Sequence, residues 1–161
     1  RAAAGACRRA HAAVGAATMR IEELAAGDTG RAFAAMQALR PHLTGEDEFV
    51  RRVNESQRRE GYRLVATVED DGTVSAVAGF RLQDMLAFGR VLYIDDLSTL
   101  PSARRRGLAR ALLDWCAEEA GRLECDELHL DSGVGPHRQD AHRLYLNAGM
   151  RISSHHFSRE L

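Results

Sequence analysis

The sequence has little that would tie it to a membrane, a polyanion or an oxidising compartment. No apolar run is long enough to span a bilayer. The net charge is only -1 and aromatic residues make up 6% of the chain, so nothing global attracts nucleic acid or an acidic lipid surface. The three cysteines, Cys7, Cys116 and Cys125, form no disulfide framework and no metal-ligand spacing. An unpaired set of this kind suits a reducing cytoplasm. No internal repeat and no linker divides the chain. Its first 18 residues contain no acid, and Arg8, Arg9 and His11 interrupt any apolar stretch there, which argues against a secretory signal. Arginine without acid also fits a transit peptide, but the simpler expectation is a low-complexity segment over 1–18, upstream of a start at Met19 and poorly ordered. What is present is ordinary for a folded protein. Hydrophobic residues are 45% and charged residues 28% of 161, enough for one domain with a real core, expected over 19–161.

Periodicity and punctuation lay out the order of elements. Met19 to Leu24 reads as a strand, and Asp28 as the N-cap of a helix through Ala38 that Pro41 ends. Thr44 with Asp47 looks like a cap for a second, charged helix over 48–59, stopped by Gly61. Tyr62 to Glu69 alternates as a strand, Asp70-Asp71-Gly72 signals a hairpin, and Thr73 to Leu82 returns. After a turn at Phe88-Gly89 a largely apolar strand runs from Arg90 to Leu100. A helix with Leu108, Leu112, Trp115 and Cys116 on one stripe ends near Gly121. Glu127 to Asp131 is a short strand, Gln139 to Asn147 a helix stopped by Gly149, and Arg151 to Leu161 one or two final strands.

The most informative stretch lies between the long strand and its helix. Arg104, Arg105 and Arg106 stand at or before the helix start and Arg110 one turn in. The positive end of a helix dipole disfavours cations, and helix starts usually carry Ser, Thr, Asp or Asn. A basic cluster there makes sense if an anion binds to the free amides, and Gly107 lets a ligand approach the backbone. The spacing Arg104-x-x-Gly107-x-Ala109, after Asp95-Asp96-Leu97-Ser98-Thr99-Leu100-Pro101, resembles the Q/R-x-x-G-x-G/A motif of the GCN5-related N-acetyltransferases, the GNAT superfamily. The segment Ala141-His142-Arg143-Leu144-Tyr145, ending in Gly149-Met150, resembles that family's last helix. Ala109 replaces a frequent second glycine, and Arg138 stands where the family often has Asn.

The resemblance implies an α/β (α+β) GNAT fold, a mixed, mostly antiparallel sheet flanked by helices whose fourth and fifth strands splay apart. It implies acetyl-CoA as cosubstrate, with the pantetheine along Leu97, Ser98, Thr99 and Leu100. The pyrophosphate would lie on Arg104, Arg105, Arg106, Gly107, Leu108, Ala109 and Arg110, with Arg138 reaching a phosphate. It implies Asp95 as base, Asp96 as the holder of a cationic amine, Tyr145 as proton donor to the thiolate, and the amide near Leu97 for the oxyanion. In a regular strand Asp95 and Asp96 face opposite sides, and buried carboxylates need partners, so ion pairs to Arg81 or Arg90 are the structural alternative. Tyr145 could equally fill the helix–sheet interface. His155 and His156, on opposite faces of a final strand, match no zinc pattern, so no metal is expected; one could line the acceptor pocket. The expected protein is a cytoplasmic acetyltransferase acting on a primary amine by direct attack, binding neither nucleic acid nor membrane, with a homodimer common in the superfamily. The competing readings are another acyl-CoA as donor and a CoA-binding sensor or structural subunit without turnover.

Overall fold

The computed structural model describes residues 19–161, so the expectation for 1–18 lies outside the described residues. Five strands form one sheet in chain order: β1 (Met19–Glu23), β2 (Arg63–Glu69), β3 (Val74–Met85), β4 (Gly89–Thr99) and β5 (Glu127–Leu130). The first four pair antiparallel and β5 runs parallel to β4. Helices α1 (Phe33–Leu39), α2 (Glu46–Glu55), α3 (Leu108–Arg122) and α4 (Gln139–Asn147) cover the sheet.

The two-residue period of β2 sorts its side chains into two cores. Leu64, Ala66 and Val68 join Met36, Phe49 and Val53 from α1 and α2. Val65 joins Phe80, Leu92, Leu112, Leu113 and Cys116 on the α3 side. Cys116 is fully buried there, and burial pushes its thiol up to about 12, so it is a packing residue and not a nucleophile. The β2–β3 hairpin turns at Gly72, φ +85°, as Asp-Asp-Gly requires.

Three expectations need correction. Asp28 caps no helix: Ala26–Ala32 winds as a 3-10 segment rich in glycine, no side chain caps it, and Asp28 lies 3.6 Å from Arg31. The second helix begins at Glu46 without a cap bond from Thr44, which instead lies 3.4 Å from Glu48, and it breaks at Ser56 before a 3-10 turn over Gln57–Glu60. That turn lets Arg58 bond the Leu24 carbonyl at 2.7 Å and Asn54 at 3.1 Å. The segment 151–161 forms no strand and is exposed throughout. Ile152 and Phe157, its two large hydrophobics besides the terminal Leu161, are five residues apart, so a strand would put them on opposite faces with no apolar side to bury. His155 and His156 are therefore not pocket residues; His156 Nδ1 instead lies 2.9 Å from Asp131.

Candidate active site

β4 outruns its neighbour. Its pairing with β5 joins Val91–Ile94 to Glu127–Leu130 and then stops, while β4 continues to Thr99. The strands part beyond that point, and a cavity of about 1130 Å³ fills the gap. Leu100 donates its N–H to the Ser75 carbonyl on β3 at 2.9 Å, and strand alternation turns the amides of Leu97 and Thr99 to the opposite edge, facing the gap. Leu97, Ser98 and Thr99 line the cavity, with Leu108, Ala109, Ala141, Leu144 and Tyr145 from α3 and α4. Ser98 contributes backbone only, because its hydroxyl donates to the Ala35 carbonyl at 2.6 Å and ties β4 to α1. Leu100 does not fit the expected role. Its N–H is used by β3, its carbonyl accepts from Ala103, and its side chain packs between both cores.

The loop from β4 to α3 is shaped for an anion. Arg105 has φ +64° and Gly107 φ +81°, two left-handed residues within a tight turn ahead of the helix. A non-glycine residue held there stores strain, and such strain gathers at ligand clamps. Gly107 is the N-cap of α3, and no side chain caps the amides that follow. A Cβ built on Gly107 meets nothing within 4 Å, so the space over the helix mouth is open. The arginines divide. Arg104 and Arg105 line the cavity and have no partner among the described residues. Arg106 is turned away, 2.9 Å from Glu69. Arg110 is bound to Asp114 at 2.8 Å and to the Asn147 carbonyl at 3.1 Å. Two free guanidinium groups and an uncapped helix start fit a diphosphate.

Arg138 lines the same cavity. Its Nε is 3.3 Å from Ser132 Oγ, and its guanidinium stands beside the Tyr145 hydroxyl. Burial raises the Tyr145 phenol above its ordinary range while the Arg138 charge pulls it back. The phenol is therefore protonated at neutral pH and faces the gap with a cation next to it.

A second cavity, about 340 Å³, opens between the sheet and the α1–α2 region. Asp95 and Arg40 line both cavities, so the two meet there. The two aspartates do not face opposite sides of β4. Gly79 pairs with Asp96 and Phe80 with Ile94, which leaves Asp95 as the extra residue of a β-bulge. The bulge brings both carboxylates to the smaller cavity. Arg81, and not Arg90, holds Asp95 at 2.8 Å, while Gln57 holds Arg81 at 2.9 Å. Asp96 accepts from Arg40 at 2.8 Å and from Tyr62 at 3.0 Å. Burial pushes the Asp95 carboxyl up from its usual range against the pull of Arg81. Gly79 makes the Tyr62 contact possible, since a Cβ there would collide with the Tyr62 ring and hydroxyl.

Arg40, Tyr62, Gln57 and Gly79 were not singled out in the sequence. Arg40 and Asp96 are 56 residues apart, and no local pattern announces their pairing.

Comparison with known proteins agrees with this geometry. The model of the Acetyltransferase (GNAT) family matches residues 31–150. The chain is 30% identical over 128 residues to the uncharacterized N-acetyltransferase YhdJ of Bacillus subtilis, covering 79% of this chain and 87% of that protein. It is 34% identical over 68 residues to the aminoalkylphosphonate N-acetyltransferase of Salmonella typhimurium, covering 42% of this chain and 43% of that one. In fold it resembles an aminoglycoside N-acetyltransferase, AAC(6')-Iy, solved in complex with CoA: TM-score 0.76, 17% identity, 90% of this chain and 96% of that chain. With a parted β4–β5 pair, an anion-shaped loop at the start of α3 and a family match over most of its length, the chain belongs to the GNAT acetyltransferase family and is an N-acetyltransferase.

Proposed function

We propose that the protein transfers acetyl from acetyl-CoA to the nitrogen of a primary amine by direct attack. The observation that carries the reading is the meeting of two cavities at Asp95, the larger bordered by unpaired arginines and an uncapped helix start and the smaller by paired carboxylates and arginines. Arg104, Arg105 and the first amides of α3 hold the pyrophosphate. The outward amide of Thr99 bonds the pantetheine arm as an added strand would, which leaves the Leu97 amide for the thioester carbonyl. The cosubstrate supplies a thioester, which reacts readily with a neutral amine but not with an ammonium.

Amines near pKa 10 arrive protonated. Asp95, its carboxyl raised by burial and so a better proton acceptor, takes that proton directly or through water. The nitrogen–carbon bond then forms and the carbon–sulfur bond breaks. The Leu97 amide meets the negative charge gathering on the carbonyl oxygen. Tyr145 gives its proton to the departing sulfur, with Arg138 steadying the phenolate left behind. Of the two protons lost by the ammonium, one replaces that of Tyr145 and the other goes to solvent. Asp96 keeps Arg40 and Tyr62 in place; its pairing removes the argument for it as holder of a cation. Among the described residues no helix is long and apolar enough to cross a membrane. Free Cys116 and Cys125 suit the cytoplasm.

Thiol release from acetyl-CoA with a panel of primary amines tests the reading. Turnover with at least one amine supports it. CoA binding without turnover would replace it with a sensor, and faster turnover with a longer acyl-CoA would change the donor.

A further inference from the structure

The smaller cavity is lined by three arginines, Arg40, Arg52 and Arg81, against two carboxylates, Asp95 and Asp96. Arg40 and Arg81 are spent on those carboxylates. Arg52 is left over. It projects from α2 beside the core residues Phe49 and Val53, and no side chain among the described residues pairs with it. Glu48 and Glu55 lie one helical turn to either side, but neither binds it. His42, also at the cavity, has no partner either. Arg81 also meets Glu60 at 3.3 Å, so the one cation of the lining without a protein partner among the described residues is Arg52. A simple ammonium would leave Arg52 unmatched and a diamine would set a second cation against it, whereas an acceptor with an anion at its far end would bring Arg52 its missing partner. A cavity of about 340 Å³ has room for a small molecule of this kind.

Resting on the reading of this chain as an amine acetyltransferase, we infer that its acceptor is a small zwitterion, with the amine at Asp95 and a carboxylate or phosphonate on Arg52, assisted by His42. The expected cationic acceptor is thereby replaced by one that is cationic only at the reacting end. Arg52 is a specificity residue: it selects the acceptor and takes no part in proton transfer.

The test uses four amines of matched length: β-alanine, aminoethylphosphonate, propylamine and diaminopropane. With acetyl-CoA, kcat/KM for the better of the two anionic amines should exceed that for propylamine by at least about tenfold, with diaminopropane lowest. Whichever anionic amine is faster identifies the anion. R52Q should bring the ratio of anionic amine to propylamine close to one, and R52K should retain most of it. A preference for propylamine or diaminopropane, or an anion preference that survives in R52Q, would overturn the inference. If CoA binds but no amine is turned over, the transfer reading fails, yet the anion site is still decided. Titration of the CoA complex with aminoethylphosphonate or β-alanine should then raise the melting temperature of the wild type and not of R52Q. No difference between the two proteins would end the proposal.

Discussion

Arginines border both cavities, and in each the paired and the free ones do different work; among the described residues Arg52 is the free one of the smaller cavity. In the smaller one Arg40 and Arg81 are locked to Asp96 and Asp95 and supported by Gln57. At the mouth of α3, Arg104 and Arg105 have no protein partner among the described residues, although Arg106 beside them does. A guanidinium that is already paired shapes a site; one left free beside a cavity is available to a ligand. Pairing, more than residue type, separates the two roles.

Removing the free pair should have the largest effect. R104E with R105E is expected to weaken CoA binding by at least about a hundredfold, since each lost charge-assisted bond is worth about 1.5–3 kcal/mol and the new carboxylates repel phosphate. Calorimetric titration with CoA measures this, and the melting temperature without ligand should hardly move because neither arginine is part of the fold's own pairing. Unchanged affinity would erase the contrast between free and paired arginines.

Next comes the proton donor. Tyr145→Phe should lower kcat by about a hundredfold with CoA affinity largely intact, the low end of what a lost general acid costs. R138N sharpens the comparison from the other side. Arg138 draws the Tyr145 phenol down, so its loss lets the phenol rise further and makes it a poorer acid. Kcat should fall less than in Tyr145→Phe, and an R138N enzyme as slow as Tyr145→Phe would instead give Arg138 a direct part in the transfer.

How far the sequence could be read follows the same division between local and distant. Arg104, Arg105 and Gly107 lie within four residues, and their conflict with the helix dipole is visible without a fold. The four helices, the hairpin at Gly72 and the stop at Gly149 are likewise local signals. Of the acidic pair the tie to Arg81 was legible, but the shared face was not. Whether Asp95 and Asp96 share a face depends on one extra residue opposite Gly79 and Phe80, and a bulge leaves no mark in the strand's composition. Their partners arrive from 14, 34 and 56 residues away. The tail failed for the reverse reason: 151–161 has some strand-like residues, but no partner strand and no consistent apolar face.

An arginine that lines neither cavity sets the scale for purely structural pairing. Arg63 binds Glu119 at 2.7 Å and Glu23 at 2.6 Å and lies 4.9 Å over the Phe80 ring. Glu119 is also held by Arg122, and these contacts keep its carboxyl down to about 2. A depressed folded value means that the stabilisation is present above the unfolded pKa, near 4.5, and is lost as pH falls toward 2. E119Q should therefore cost about 2 kcal/mol at neutral pH, with a flatter loss of stability below pH 4.5 and CoA affinity unchanged. Denaturant melts at several pH values would show it.

The smallest effect on binding should come from the arginine that looks most like its neighbours. Arg106 adjoins Gly107 and belongs to the same run of three, so sequence alone gives it the same task as Arg104 and Arg105. Its partner is Glu69, at the end of β2, which also accepts from Ser75 Oγ at 2.8 Å. The Arg106 guanidinium holds the Glu69 carboxyl below its usual range, with Ser75 adding to the effect. Releasing Arg106 to a phosphate would leave that carboxylate with only a hydroxyl, so binding gains at one end what the hairpin loses at the other. R106Q is expected to change CoA affinity by no more than about twofold, the residue being screened and already neutralised. A CoA titration of R106Q beside the R104E/R105E protein decides the matter: if R106Q binds as poorly as the double variant, Glu69 lets go when the ligand arrives, and pairing in the free protein does not determine which arginines serve the site.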